Sequence, residues 1–346
     1  MLVNLIRGFV ALGQSVDVVL VRANSPHLAR LPPQVNVIHL HTNHTFAAIP
    51  AFARYLRDQR PAVVLAAKDR AGRAAVLARA MAQTNTRLVL RLGTNLSAAM
   101  AIRTAPERWL RYAPIRLLYP QLERIIAVSQ GVAEDTAQIA RIPRERIRVI
   151  CNPVITPELT NLAMESCPHP WLERDQPPVI LGIGRLQQQK DFPTLIRAFA
   201  RIHAERDCRL IILGDGGGRA QLTELIVELN LNSSVALPGF QTNPYAWLAR
   251  AGLFVLSSAW EGSPNVLTEA LALGVPVVAT DCPSGPAEIL NCGQYGKLVS
   301  IGDAAALAKA MIATLEQPLS SSFLRQAVID YTLEYSAAQY LRALGL

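Results

Sequence analysis

The apolar residues of this chain fall in short runs separated by stretches of helical spacing. VDVVLV (16–21), VNVIHL (35–40), AVVLAA (62–67), RLVLRL (87–92), RIIAVS (124–129) and RIRVIC (146–151) are too short for helices and read as strands. Between them, AIPAFARYLRDQ (48–59) and RAAVLARAMAQ (73–83) repeat apolar positions three and four apart, which predicts amphipathic helices. Continuous apolar strands joined by helices imply a parallel sheet covered on both faces.

The pattern restarts beyond a proline-rich joint that holds Pro153, Pro157, Pro168, Pro170, Pro177 and Pro178. VILGIG (179–184), RLIILG (209–214), SVALPG (234–239), LFVLSS (253–258), PVVAT (276–280) and GKLVS (296–300) are again strand-like. Two doubly wound, Rossmann-like α/β domains follow, expected at 1–160 and 161–330. A last helix within 331–346, near Ala337 to Leu344, is expected to cross back to the first domain. Ligands of such sheets bind beyond the carboxyl ends of the strands, so a cleft between the two domains is the expected site. The chain opens on a helix, LVNLIRGFVALG (2–13), with no N-cap and no strand before it. This reads as a first domain without its first strand and first loop; the alternative is a domain that naturally starts on a helix.

Charge sharpens the division. Residues 1–170 hold 21 Lys and Arg against 10 Asp and Glu, whereas 171–346 hold 13 against 16, as expected of two domains with different partners. The five cysteines (Cys151, Cys167, Cys208, Cys282, Cys292) are odd in number and include no CxxC pair, which argues against a disulfide framework or zinc knuckle and for a reducing compartment. No run approaches the roughly 20 unbroken apolar residues of a membrane span. Arg7 interrupts the apolar start, and no cleavage site follows it, so a cytoplasmic chain without a signal peptide is expected.

The candidate chemistry lies past the strand ends of the second half. In GIGRLQQQKDFPTLIRAF (182–199), Arg185 and Lys190 occupy the loop after a strand, five apart, where two cations suit a diphosphate leaving group; a solvated basic loop is the alternative. In SSAWEGSPNVLTEALALG (257–274), a helix is expected from Pro264, with Pro in its first turn. Its N–H groups at Asn265, Val266 and Leu267 would offer an anion site. Glu261 precedes that helix and Glu269 lies two turns on, either as a sugar-hydroxyl and ribose pair or as a charged helix face.

This ordered set resembles the donor site of retaining GT-B glycosyltransferases of family 4, also called group 1. Arg185 and Lys190 followed by an E-x7-E pair carry the likeness, with GDGGGRAQL (214–222), LPGFQTNP (237–244) and EALALGVPVVATDCPSGPAEIL (269–290) beside them. IIAVSQGVAEDT (125–136) and VICNPV (149–154) extend it more weakly into the first half. The resemblance implies transfer with retention of anomeric configuration. Arg185 and Lys190, beside Gly184 and the helix start, would hold the donor diphosphate. Glu269 would hold the ribose, catalytic Glu261 the sugar hydroxyls, and the loop at Phe240 would lie by the base. The segment DCPSGPAEIL (281–290) is similar to enzymes using UDP-linked sugars, often N-acetylhexosamines. The implied reaction carries a hexose or N-acetylhexosamine to a polysaccharide or lipid-linked acceptor in envelope assembly. An epimerase on the same fold and a non-catalytic, partner-dependent donor-binding subunit are the rival readings.

The chain departs from the family pattern in the first half. The Gly-rich loop after a first strand is missing, and Gly93 stands where many members carry His. Lys68 and Asp69 either line the acceptor side or are ordinary loop charges. No Asp-x-Asp occurs, and Arg185, Lys190 and a helix start already supply positive charge, so neither a metal nor another cofactor is expected. His39, His41 and His44 fit packing or lining better than metal ligation. The run 102–124 interleaves arginines with Trp109, Leu110 and Leu117; it suits either peripheral contact with an anionic inner leaflet or a helix with one buried face. No nucleic-acid module is present, so nucleic acid is not an expected partner.

Overall fold

A computed structural model of the chain describes residues 1–21, 28–101, 103–166 and 169–346. Ile102, Cys167 and Pro168 lie outside the described residues. Every predicted apolar run forms a strand. In the first half these are β1 (Asp17–Leu20), β2 (Asn36–His39), β3 (Val63–Ala66), β4 (Arg87–Leu92), β5 (Arg124–Ala127) and β6 (Ile147–Val149). In the second half they are β7 (Val179–Ile183), β8 (Arg209–Leu213), β9 (Val235–Gly239), β10 (Leu253–Leu256), β11 (Val277–Thr280) and β12 (Lys297–Val299). All pairings are parallel. Parallel neighbours need a crossover of a dozen or more residues, and the amphipathic segments supply it.

The chain divides into two compact units, Met1–Pro153 with Thr332–Leu346, and Val154–Tyr331. The division falls at Pro153, a few residues before the boundary expected at 160. The helix Pro157–Met164 belongs with the second unit because Asn243 Nδ2 donates to Leu162 O at 2.9 Å and Arg250 Nη1 to Ala163 O at 3.2 Å.

In the second unit six strands lie in the order β12-β11-β10-β7-β8-β9. The chain lays down β7, β8 and β9 outward, then returns to the other side of β7 with β10. The loops after β7 and β10 therefore leave the sheet in opposite directions and open a crevice, the topological switch point where open α/β sheets bind ligands. Helix Phe192–His203 fits against this sheet because its apolar positions recur every three to four residues; Leu195, Ile196, Phe199 and Ile202 are all fully buried.

In the first unit the strands form two separate groups, β1-β2 and β3-β4-β5-β6, and among the described residues no strand joins them. The first element is the helix Leu2–Ala11, without a side-chain cap. It packs on the last helix, Leu333–Leu344, so closely that a Cβ at Gly8 would lie 2.6 Å from Ala337 Cβ. Arg91 of β4 is buried among neutral partners: its Nε donates to Tyr340 Oη at 3.2 Å and its Nη2 to Asn152 Oδ1 at 2.6 Å.

Phe199→Ala would leave a cavity in the second unit's core. It is expected to destabilise that unit by about 3–5 kcal/mol, read as a lower urea midpoint at unchanged slope.

Candidate functional site

At the switch point the ends of β7 and β10 bring together residues 71 positions apart. Lys190 Nζ donates to Glu261 Oε1 at 2.5 Å, and Ser258 Oγ donates to the same oxygen at 2.7 Å. Both partners of the ion pair are largely buried, so removing either leaves a charge without compensation. The backbone holds the two loops in register. Ser257 Oγ donates to Lys190 O at 2.8 Å, Ala259 N to Gln189 O at 2.8 Å and Gln189 Nε2 to Trp260 O at 2.9 Å. Thr280 Oγ1, from the end of β11, braces the arrangement by donating to Ser258 O at 2.5 Å. Glu261 Oε2 has no partner among the described residues and remains open for a ligand hydroxyl.

Two glycines make this approach sterically feasible. The Lys190 stem crosses Gly184, where a Cβ would lie 2.8 Å from Lys190 Cε. Gly214, after β8, has φ +136°, and a Cβ there would lie 1.9 Å from Gly184 O. No other residue fits at position 214 without moving the β7 loop. Arg185 is exposed, and among the described residues its guanidinium makes no hydrogen bond or ion pair. It lies in the same loop as Lys190.

The helix after β10 runs Asn265–Leu273 with Pro264 at its N-cap, one position earlier than the expected place in the first turn. The first turn closes on itself, since Leu267 N donates to Pro264 O at 3.1 Å and Thr268 N to the same oxygen at 3.3 Å. Leu267, expected to offer its amide to a phosphate, is thus removed from that role, and its side chain is core. The Val266 amide has no partner among the described residues. Glu269 is half-buried and accepts from Tyr245 Oη at 3.3 Å. Burial pushes its carboxyl up to about 7, and the Tyr245 hydrogen bond opposes the rise only in part. Phe240 follows β9 and is 73% exposed, a bare ring suited to stacking.

Residues 177–317 match the family described as Glycosyl transferases group 1, and residues 1–157 match Glycosyltransferase Family 4. Each half of the chain thus matches a glycosyltransferase family model, and the fold is GT-B. It is 37% identical, over 54% of its length and 49% of the relative's, to the N-acetylgalactosamine-N,N'-diacetylbacillosaminyl-diphospho-undecaprenol 4-alpha-N-acetylgalactosaminyltransferase of Campylobacter jejuni. It is 32% identical, over 66% of its length and 64% of the relative's, to the lipopolysaccharide core biosynthesis glycosyltransferase LpsE of Rhizobium meliloti. The chain thus spans about half to two thirds of the length of these curated relatives. Among solved structures, the Anabaena protein HepE in complex with UDP and glucose aligns over 99% of this chain and 94% of its own, with TM-score 0.78 and 18% identity.

The expected residues Gly184, Lys190 and Glu261 meet directly, and Arg185 follows Gly184 in the same loop. Ser258, Thr280 and Tyr245 were not anticipated. Ser258 had a visible signal, three residues before Glu261 in the same motif, whereas Tyr245 had none. Of the three histidines, His39 and His41 rings stand 5.8 Å apart, and among the described residues no cluster of three His, Cys, Asp or Glu is placed to hold a metal. Asp69 is no loop charge. It is buried under Arg73 at 2.8 Å, Arg111 at 3.0 Å and the Tyr119 hydroxyl at 3.0 Å, which fixes the turn after β3.

Because the Glu269 carboxyl rises on folding, the folded state binds the proton more tightly than the unfolded chain. Stability is therefore expected to fall as pH rises from about 4.5 to about 7 and to level off above. Glu269→Gln should flatten that part of the stability–pH curve measured by thermal melts.

Proposed function

We propose that the chain transfers a hexose or N-acetylhexosamine from a UDP-linked donor to a polysaccharide or lipid-linked acceptor, with retention of configuration. The observation that carries this reading is the Lys190–Glu261 pair at the switch point, with Arg185 beside it. A diphosphate entering there meets Arg185 and Lys190, and the Val266 amide adds a neutral donor at the helix start. As the sugar–phosphate bond breaks, negative charge grows on the diphosphate, and fixed cations stabilise that change more than the ground state. Glu261, held by Ser258, presents its open oxygen to sugar hydroxyls. Glu269 accepts from the ribose hydroxyls and Phe240 stacks on the base. The charge supplied by Arg185 and Lys190 makes a divalent metal dispensable.

The relatives support the acceptor class: the Campylobacter enzyme's name specifies a diphospho-undecaprenol acceptor, and LpsE is named for lipopolysaccharide core biosynthesis. The helix Ala105–Leu118 buries Ile115 and Leu118 but exposes Trp109 (64%), Leu110 (69%) and Leu117 (70%). That exposed apolar surface beside Arg108 suits the surface of an anionic leaflet, where such an acceptor resides. Among the described residues no helix is long and apolar enough to cross a membrane.

Calorimetry with UDP, GDP and ADP, with and without EDTA, tests the donor assignment. UDP should bind selectively and equally well in EDTA. Lys190→Ala should weaken it by about tenfold or more, as expected for losing a charge-assisted hydrogen bond. Glu261→Gln should leave UDP affinity nearly unchanged while turnover with a lipid-linked acceptor falls about a hundredfold; unchanged turnover would remove Glu261 from the reaction. UDP binding with no transfer to any acceptor would instead favour a donor-binding subunit, the reading to which the divided first sheet lends weight.

The membrane surface has its own check. Trp109→Glu with Leu110→Glu should abolish co-sedimentation with phosphatidylglycerol vesicles without shifting the melting temperature. Equal sedimentation of wild type and variant would reject the contact.

A further inference from the structure

The segment between β9 and β10 reaches the helix Asn265–Leu273 from outside the loops that hold Lys190 and Glu261. Gly239, at φ +84°, ends β9 and turns the chain. Phe240 follows it, and Tyr245 opens the one-turn helix Tyr245–Leu248.

Asn243 fixes where that turn stands. Its Oδ1 accepts from Tyr245 N at 3.2 Å and from Ala246 N at 3.4 Å, the side-chain-to-backbone closure by which Asn shapes turns. Its Nδ2 donates to Leu162 O at 2.9 Å and to Glu165 Oε2 at 2.8 Å, which ties the turn to the end of helix Pro157–Met164. Ala246, Trp247 and Leu248 are buried, so the three residues after Tyr245 are core. The Tyr245 backbone is therefore held on both sides.

Glu269 stands on a helix that is equally anchored. Thr268 and Ala270, its two neighbours, are fully buried. Gly274, at φ +78°, closes the helix against Ser321, whose Oγ donates to Gly274 O at 2.9 Å. This anchoring stops at Cα, because three rotatable side-chain torsions separate it from the carboxylate oxygens. Tyr245 Oη, donating to Glu269 Oε1 at 3.3 Å, reaches the carboxylate itself. A carboxylate that accepts from two neighbouring hydroxyls must lie in one plane, and a donor held at one oxygen sets that plane. The bond is longer than the usual O–H···O of about 2.7–2.8 Å and has room to tighten when a ligand draws on the carboxylate. It also favours the ionised acceptor, since it opposes the burial that pushes Glu269 up to about 7. A phenylalanine ring would fill the same space, so what the tyrosine adds is its hydroxyl.

We propose that Tyr245 is a positioning residue of the ribose site. Its hydroxyl sets the plane of the Glu269 carboxylate, and through it the preference for nucleoside diphosphates that carry ribose hydroxyls over those that lack them. Tyr245 acts through Glu269 and need touch no ligand atom. The proposal rests on the assignment of Glu269 to the ribose. It gives the 239–248 segment two tasks on one nucleoside, with Phe240 offering its exposed ring to the base and Tyr245 ordering the carboxylate for the sugar joined to that base.

The test compares UDP with 2′,3′-dideoxy-UDP by calorimetry at pH about 8.5, above the Glu269 range, in wild type, Tyr245→Phe and Glu269→Gln. Wild type should bind UDP about tenfold or more tightly than the dideoxy nucleotide, as expected for hydroxyls bonded to a charged acceptor. Tyr245→Phe should cut that ratio to about threefold or less by weakening UDP alone, with the dideoxy affinity unchanged. Glu269→Gln should bring the ratio close to one. A wild-type ratio in Tyr245→Phe would overturn the proposal, and so would equal weakening of both nucleotides, the mark of a packing role. In either case a collapsed ratio in Glu269→Gln would leave the ribose assignment standing. Equal affinities for the two nucleotides in wild type, or a full ratio in Glu269→Gln, would remove the ribose assignment and the proposal with it.

Discussion

A parallel strand covered by helices on both faces can carry polar chemistry only at its ends, and this constraint organises the whole chain. Each strand's middle is committed to Val, Ile and Leu because either face is core. Polar side chains at that depth would lose hydration without a partner. The chemistry is accordingly concentrated in the loops past the carboxyl ends. In the second unit the strand order decides which loops can cooperate, since β7 and β10 are neighbours although 69 residues lie between them in sequence. Lys190 and Glu261 converge for that reason.

The Lys190–Glu261 pair is better understood as positioning than as stabilisation. A largely buried ion pair recovers little net free energy against its desolvation cost, but it is strongly destabilising to break. Ser258, Thr280 and the bonds between the two loops fix its geometry. Closeness of backbone is part of the same device. Gly184 and Gly214 allow two loops to pass at a distance that any side chain would prevent.

The first unit obeys the same constraint with a different result. β4 and β5 have neighbours on both edges and are buried; β1 and β3 each keep one bare edge and are half-exposed. Its buried charges are also managed differently. Asp69 is paired with two arginines, whereas Arg91 is held by the neutral oxygens of Asn152 and Tyr340. The last helix supplies Tyr340, so the end of the chain helps to hold the middle of the first sheet.

Element type and order were legible from periodicity because both signals are local: each apolar run became a strand, and the stretches between became helices. The motif spacing Arg185, Lys190, E-x7-E was legible as well, since neighbouring residues on one loop or helix keep a fixed separation. What the sequence left open was every relation between distant segments. That Lys190 meets Glu261, that Tyr245 reaches Glu269 and that helix Pro157–Met164 sides with the second unit depend on strand order and packing. The Leu267 amide was misjudged because whether a first helical turn closes on its own proline depends on backbone angles, not residue type. Hydrophobic patterning thus determined the layers of this protein. Only the tertiary structure decided which strand ends stand side by side, because pairing energy depends on edges and contacts that no single segment contains.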